Sequence, residues 1–305
     1  MEYHRPVLLE ESVQWLVHDA EGVYVDLTFG GGGHSRKILE KLGASGRLLA
    51  LDRDEEAHRE ASFVDDERFT FILSDYRHLR QWLEYYGVEG LHGVIADLGV
   101  SSHQLDMAER GFSYRADAPL DMRMGKGVRR TARDILNSYA EADLVELFSR
   151  YGEVRNSRQL ARWIVQQRQR RPFYAIRDFV DRIRPIVRGK PERYLAQVFQ
   201  ALRIEVNEEL DSLKQVLSDL PDLLLPSGRM VVISYHSLED RMVKNLIKTG
   251  NPDGVEQRDP YGRVIRHFKP LVKGVIRPTE EEVAHNPRAR SAKMRVAERL
   301  HRSIS

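Results

Sequence analysis

The chain has 305 residues, with 48 Lys and Arg against 46 Asp and Glu, and no cysteine. The length suits one large domain or two smaller ones, and the lack of cysteine excludes disulfide frameworks, thiolate metal sites and every cysteine nucleophile. No run approaches the ~20 apolar residues of a membrane helix, and the opening Met1-Glu2-Tyr3-His4-Arg5 lacks the apolar core of a signal peptide, so a cytoplasmic protein with no membrane partner is expected.

The first hundred residues alternate short apolar strands with amphipathic stretches, the pattern of a parallel α/β sheet. Val23–Leu27 reads as strand one, followed by a glycine run and a helix from about His34 to Leu42. Arg47–Asp52 is strand two, with a polar helix near Glu55 to Ala61. Phe69–Leu73 is strand three, Tyr76 to Tyr86 a helix, and Gly93–Asp97 strand four. Asp106 to Met124 has no clear period and reads as a loop leading out of the sheet. Helical segments follow. A helix from about Asn207 to Leu224, ended by Pro226, precedes a fifth strand at Gly228–Ser234. The expected architecture is therefore a sheet domain of residues 1–104 and 206–305 with an inserted helical domain of residues 105–205.

Charge follows the same division. Residues 105–205 hold 21 Lys and Arg against 13 Asp and Glu, a net of +8, which leaves −6 on the remainder. Between Arg155 and Arg193 there are 12 basic and 3 acidic residues, interleaved with aromatic side chains. Such a face suits a phosphate backbone. Arg168, Arg170, Arg171, Arg182, Arg184 and Arg188 are its candidate contacts, and Arg288 and Arg290 belong to a second basic region near the C-terminus. A solvated arginine face is the alternative.

Asp26-Leu27-Thr28-Phe29-Gly30-Gly31-Gly32-Gly33-His34 lies between a strand and a helix, where the backbone turns tightly and a nucleotide can approach. No Gly-Lys-Ser/Thr follows, so it is not a P-loop. Asp52 ends the second strand about 20 residues on, the place of a carboxylate that accepts from both ribose hydroxyls of an adenosine, or of a helix cap. Asp26 puts negative charge beside the turn, unhelpful to a pyrophosphate and suited to an ammonium or sulfonium group; this points to S-adenosylmethionine over NAD. Tyr76 follows strand three, where its ring can pack on adenine or serve the core, and Asp75 stands beside it. Asp97 closes strand four at the ligand-binding edge of such sheets.

Together these segments resemble the bacterial ribosomal RNA small-subunit methyltransferase H family. The resemblance covers nearly the whole chain. It rests on His4-Arg5-Pro6-Val7-Leu8-Leu9, Thr28 to Ser35, Leu51-Asp52-Arg53-Asp54, Asp97 to Ser102 with Gln104-Leu105-Asp106, and Glu109-Arg110-Gly111-Phe112-Ser113. Pro119 to Met124, Ser234-Tyr235-His236-Ser237-Leu238-Glu239-Asp240-Arg241 and Asn286-Pro287-Arg288-Ala289-Arg290-Ser291 complete it.

The resemblance implies a class I S-adenosylmethionine-dependent methyltransferase fold, Rossmann-like, with an inserted all-helical domain. The implied activity is methylation of N4 of a cytidine in the decoding region of 16S ribosomal RNA. Implied cofactor contacts are Gly32, Gly33, His34, Asp52, Tyr76, Asp97 and Gln104; Asp26 and Asp75 are added from position alone. Gly31 is arginine in some relatives and carries no side-chain role. The Asp/Asn-Pro-Pro-Tyr signature of many amino-methyltransferases is missing, so other groups must hold the cytosine amine.

Cytosine N4 is a poor nucleophile, since its lone pair is delocalised into the ring. Alignment with the methyl group and a proton acceptor are needed. Asp97 and the backbone near Leu98 are the candidates. His236, at the same edge after strand five, is a second catalytic candidate, although Ser237-Leu238-Glu239-Asp240 also reads as a helix cap with acidic residues in the first turn. Asp121 and Arg123 either reach the substrate or pair with each other. No histidine spacing suggests a catalytic metal. The expected partner is 16S ribosomal RNA or the small ribosomal subunit, and no motif specifies an oligomeric state. An NAD-dependent oxidoreductase and a non-catalytic RNA-binding assembly factor are the rival readings.

Overall fold

The computed structural model describes residues 6–304, so His4 and Arg5 of the opening motif lie outside the described residues. The chain divides into two compact units, one running to Gly99 and resuming at Leu210, the other Val100–Glu209. In the first, α1 (Leu9–Leu16) leads to β1 (Val23–Asp26), α2 (Gly33–Leu39), β2 (Arg47–Asp52), α3 (Glu55–Ala61), β3 (Phe69–Leu73), α4 (Leu79–Tyr85) and β4 (Leu91–Asp97). The helical unit holds α5 (Ser102–Asp106), α6 (Ala132–Ser138), α7 (Glu141–Arg150), α8 (Ser157–Arg170), α9 (Ile176–Ile183) and α10 (Pro191–Asn207). After α11 (Glu209–Leu223) the sheet resumes with β5 (Leu224–Ser234), α12 (Ser237–Thr249), β6 (Arg266–Pro270), α13 (Glu280–His285) and β7 (Lys293–Ile304).

The strands form a seven-stranded sheet in the order β3-β2-β1-β4-β5-β7-β6. The first five are parallel, and β7 and β6 are antiparallel additions. The near-continuous apolar runs of β1, β2 and β4 follow from burial on both faces. Alternate residues feed separate cores: Val25, Leu49, Leu51, Val94 and Ala96 pack with Leu79, Leu83, Leu217 and Leu246 on one side. Tyr24, Leu48 and Ile95 pack with Val13, Leu16, Ile38 and Leu39 on the other. The helical unit has its own core, which includes Phe148, Ile164, Phe173, Phe179 and Leu202.

Three expectations are corrected. Pro226 does not end the helix: the chain leaves α11 at Leu223, and Pro226 lies inside β5. There the pairing shifts from Leu91 with Leu224 to Gly93 with Arg229, and Ser227 has φ 66°, an irregularity where a residue without N–H is tolerated. The second helical stretch after β3 starts as a 3₁₀ turn, Tyr76–His78, before α4 begins at Leu79. The C-terminal region, read as basic without strands, contains β6 and β7.

The glycine turn is sterically closed. A Cβ on Gly33 would stand 2.2 Å from Cγ of Pro6, and one on Gly32, whose φ is +76°, 2.5 Å from Cζ of Phe29. Gly33→Ala is expected to lower stability by about 1–3 kcal/mol, the usual penalty of overpacking. Thermal melting checks it, and an unchanged melting temperature would show that the turn has room.

Candidate active site

The carboxyl edge of the sheet is organised by carboxylates that bind backbone. Asp26 is 1% exposed; its Oδ1 accepts from the Thr28 amide at 3.0 Å and its Oδ2 from the Ser35 hydroxyl at 2.7 Å. Burial drives its pKa up to about 6, against the lowering effect of Ser35 and Thr28. Asp26 thus shapes the turn from beneath. The carboxylate expected near the cofactor is enclosed, with one protein donor on each oxygen.

Asp52 clasps the same turn from β2. Its Oδ2 accepts from the Gly30 amide at 2.8 Å and its Oδ1 from the Asp54 amide at 2.9 Å. A carboxylate oxygen offers about two acceptor sites, so each retains capacity for one more donor. Helix capping falls instead to Asp54, which accepts from the Glu56 amide at the start of α3.

Asp75 is drawn into the scaffold. It caps the 3₁₀ turn through the Arg77 amide, and its Oδ2 lies within 3.3 Å of Arg53 and Arg77 and accepts from Ser212 at 3.0 Å. With these partners, Asp75, a cofactor contact expected from position, ties β3 to α11. Tyr76 packs partly buried on the core formed with α4 and α11. His34 is buried, bonded to the Val7 backbone, and burial lowers its pKa to about 4, so it is neutral at physiological pH. Among the described residues its Nε2 has no hydrogen-bond partner.

Asp97 ends β4 where the sheet order reverses between β1 and β4, the crevice in which open α/β sheets bind ligands. Its amide donates to the Thr28 hydroxyl at 2.7 Å, and its Oδ1 accepts from the Tyr235 hydroxyl at 2.8 Å. Burial raises its pKa to about 7; Tyr235 opposes that, and the charges of Asp26, Glu239 and Glu282 add to it. A carboxyl poised near neutrality is suited to accepting a proton.

His236 is the N-cap of α12, the place expected for Ser237. Its Nδ1 accepts from the Glu239 amide at 3.4 Å, while Glu239 accepts from the amides of Tyr235 and His236. Its Nε2 stands 3.0 Å from Glu239 Oε1, and the side chain is 8% exposed. Capping engages Nδ1, while the buried Nε2 has no hydrogen-bond partner among the described residues, so the ring is placed as a helix cap and its catalytic role stays an expectation. Sequence reasoning missed Thr28, Ser35 and Tyr235, whereas Glu239 stands in the capped first turn as read from sequence; the Ser-Tyr-His-Ser motif held the signal for Tyr235.

In the helical unit, the amide of Gln104 donates to the Ser101 hydroxyl oxygen while its side-chain oxygen accepts from the Ser101 amide, a closed capping box on α5. Arg123 and Asp121 pair bidentately at 2.8 Å per bond, pinning their own loop. The basic face divides. Arg168 donates to the Leu136 carbonyl at 3.0 Å, and Arg182 stacks 3.9 Å over Phe173 and pairs with Asp178. Both guanidiniums, expected as phosphate contacts, are engaged within the helical unit. Arg170, Arg184 and Arg188 are exposed, and Arg171, also exposed, pairs with Asp178. Arg288 and Arg290 lie exposed on a 3₁₀ turn. Among the described residues no helix is long and apolar enough to cross a membrane, and no group of His, Asp and Glu is arranged to hold a metal ion.

This edge fits S-adenosylmethionine in two respects: Asp52 retains acceptor capacity for ribose hydroxyls, and His34 Nε2 is a buried polar atom without a partner among the described residues. Sheet order and site together define a class I S-adenosylmethionine-dependent methyltransferase. The chain belongs to the MraW methylase family, whose model matches residues 1–300. It is 51% identical over 298 residues to the ribosomal RNA small subunit methyltransferase H of Phocaeicola vulgatus, covering 97% of each chain. It is 50% identical over 298 residues, with 97% of each covered, to the protein of that name from Bacteroides thetaiotaomicron. With the one from Christiangramia forsetii the identity is 47% over 301 residues, covering 98% of this chain and 99% of the relative.

Proposed function

We propose that this chain methylates N4 of a cytidine in the decoding region of 16S ribosomal RNA, with S-adenosylmethionine as donor and the 16S RNA or the small ribosomal subunit as partner. Asp97 is the observation that carries the mechanism: a carboxylate with one oxygen held by Tyr235, the other uncommitted among the described residues, and a pKa near 7 at the crevice of the sheet. When bound, the donor supplies an electrophilic methyl group on a sulfonium. Gly32, Gly33, His34, Asp52 and Tyr76 would hold it, with Gln104 as a further contact from the family resemblance.

The ionised Asp97 carboxylate accepts a hydrogen bond from N4, which favours the pyramidal amine over the delocalised one, and takes its proton as the nitrogen–carbon bond forms. With no cysteine in the chain, the covalent ring adduct used for carbon-5 methylation has no nucleophile. The cytidine must be single-stranded or flipped, since a base within a helix cannot reach the site. The helical unit is the substrate-recognition domain in this reading, with its exposed arginines positioning the phosphate backbone.

The test is transfer of labelled methyl to small-subunit particles and to naked 16S RNA, alongside titration with S-adenosylmethionine and NAD. Binding of S-adenosylmethionine with transfer to either RNA form is the expected result; RNA binding without transfer would identify an assembly factor instead. Replacing Arg170, Arg184 and Arg188 with Gln is expected to reduce the log–log salt slope of RNA affinity by about 2, at roughly 0.7 per single-strand phosphate contact. Donor affinity should stay the same. An unchanged slope would place the RNA elsewhere.

A further inference from the structure

We infer that Tyr235 is the positioning residue of the methyl-transfer site: it holds Asp97 through Oδ1 and thereby assigns Oδ2 to the incoming amine. The inference deepens the proposed function and rests on Asp97 being its proton acceptor.

The placement of Tyr235 is fixed at several points. Its amide donates to Glu239 Oε2 at 2.9 Å, which seats the backbone at the start of α12. Its ring packs against the core that holds Ile95 and Ile233, and Cδ2 lies 3.7 Å from where a Cβ on Gly99 would stand. The Leu98 amide donates to the Ile233 carbonyl at 2.9 Å, locking the ends of β4 and β5 together on either side of the pair. The hydroxyl therefore meets Asp97 Oδ1 at 2.8 Å from a supported direction, and among the described residues no donor engages Asp97 Oδ2. A carboxylate fixed in this way loses little freedom when it engages a second donor, so the oxygen left over meets the substrate already oriented.

The electrostatic surroundings give Tyr235 a second effect. Asp97 is faced by Asp26 from the end of β1, by Glu239 from α12 and by Glu282 from α13, all of which disfavour its ionisation, as does burial. The Tyr235 hydroxyl is the opposing influence, because a donor to a carboxylate stabilises the charged form. Burial and the neighbouring acids in turn keep the phenol protonated, well above its ordinary range, so it remains a donor. Without that hydroxyl the carboxyl holds its proton to higher pH, and the acceptor form is scarcer near neutrality.

Tyr235→Phe keeps the ring and removes the donor. In the ligand-free protein, the ¹³C-carboxyl titration of Asp97, assigned by its disappearance in Asp97→Asn, is expected to move up by about one pH unit. In single-turnover transfer to small subunits at saturating donor, the acid limb of the rate profile should move with it. The rate near pH 7 should then fall about 5- to 10-fold and recover at higher pH, with donor affinity unchanged. A merely structural role would depress the rate at every pH. An unmoved Asp97 titration in Tyr235→Phe overturns the inference. Parental transfer by Asp97→Asn would instead overturn the acceptor reading beneath it.

Discussion

Asp97→Asn lowers single-turnover methyl transfer by about 100-fold or more at saturating donor, since the amide keeps the shape of the side chain and cannot take a proton. The size of the effect follows from the poor nucleophilicity of the cytosine amine, which needs an acceptor as the bond forms. In the parent, the rate should rise as pH passes through about 7 and level off above it, because burial holds the carboxyl protonated below that value. The sign for stability is opposite. A carboxyl with a folded pKa above its ordinary 3.8 binds its proton more tightly in the folded state, so stability falls as pH rises between those values. Asp97→Asn is therefore expected to melt at a temperature equal to or above that of the parent at neutral pH while losing activity. Saturation must be established for the variant before its rate is read. A variant that binds both substrates and transfers at the parental rate would leave Asp97 as a strand terminus.

Asp52→Ala should weaken S-adenosylmethionine binding by about 1.5–3 kcal/mol for each charge-assisted hydrogen bond lost. The structure adds a second route to the same loss, because Asp52 also fixes the Gly30 amide and with it the start of the glycine turn. Asp52→Asn separates the two, as its carboxamide oxygen can still accept from Gly30 while the charge toward the ribose is gone. Both variants should bind the donor more weakly in calorimetric titration, the alanine variant more so. Parental affinity in both would remove Asp52 from the donor site.

The half of the sheet that carries this site was legible because parallel strands buried on both faces leave long apolar runs ending in a polar residue. Arg47–Asp52 and Phe69–Leu73 have the bounds read from sequence, Asp52 and Asp97 stand at strand ends as expected, and β1 ends at Asp26, one residue before the Leu27 expected. The antiparallel strands were hidden by charge. In β7, Met294 and Val296 are buried while Lys293 and Arg295 approach Asp240 and Glu298 meets Lys269, so residues that look like a solvated basic stretch are satisfied within the sheet. The same blindness affected the arginines. Nothing in the one-dimensional pattern distinguishes Arg170 from Arg182, yet the first is exposed and the second stacks on Phe173. Some carboxylate partners were equally hidden: Ser212, which donates to Asp75, is brought to it only by the fold.

The most direct test of the central claim is the identity of the product. Small subunits lacking methylation in the decoding region would be incubated with the protein and isotopically labelled S-adenosylmethionine, and their RNA digested to nucleosides for mass analysis. Label in N4-methylcytidine, mapped to a decoding-region cytidine and abolished in Asp97→Asn, is the predicted result. Label in 5-methylcytidine, or none in RNA despite saturated donor binding, would contradict it.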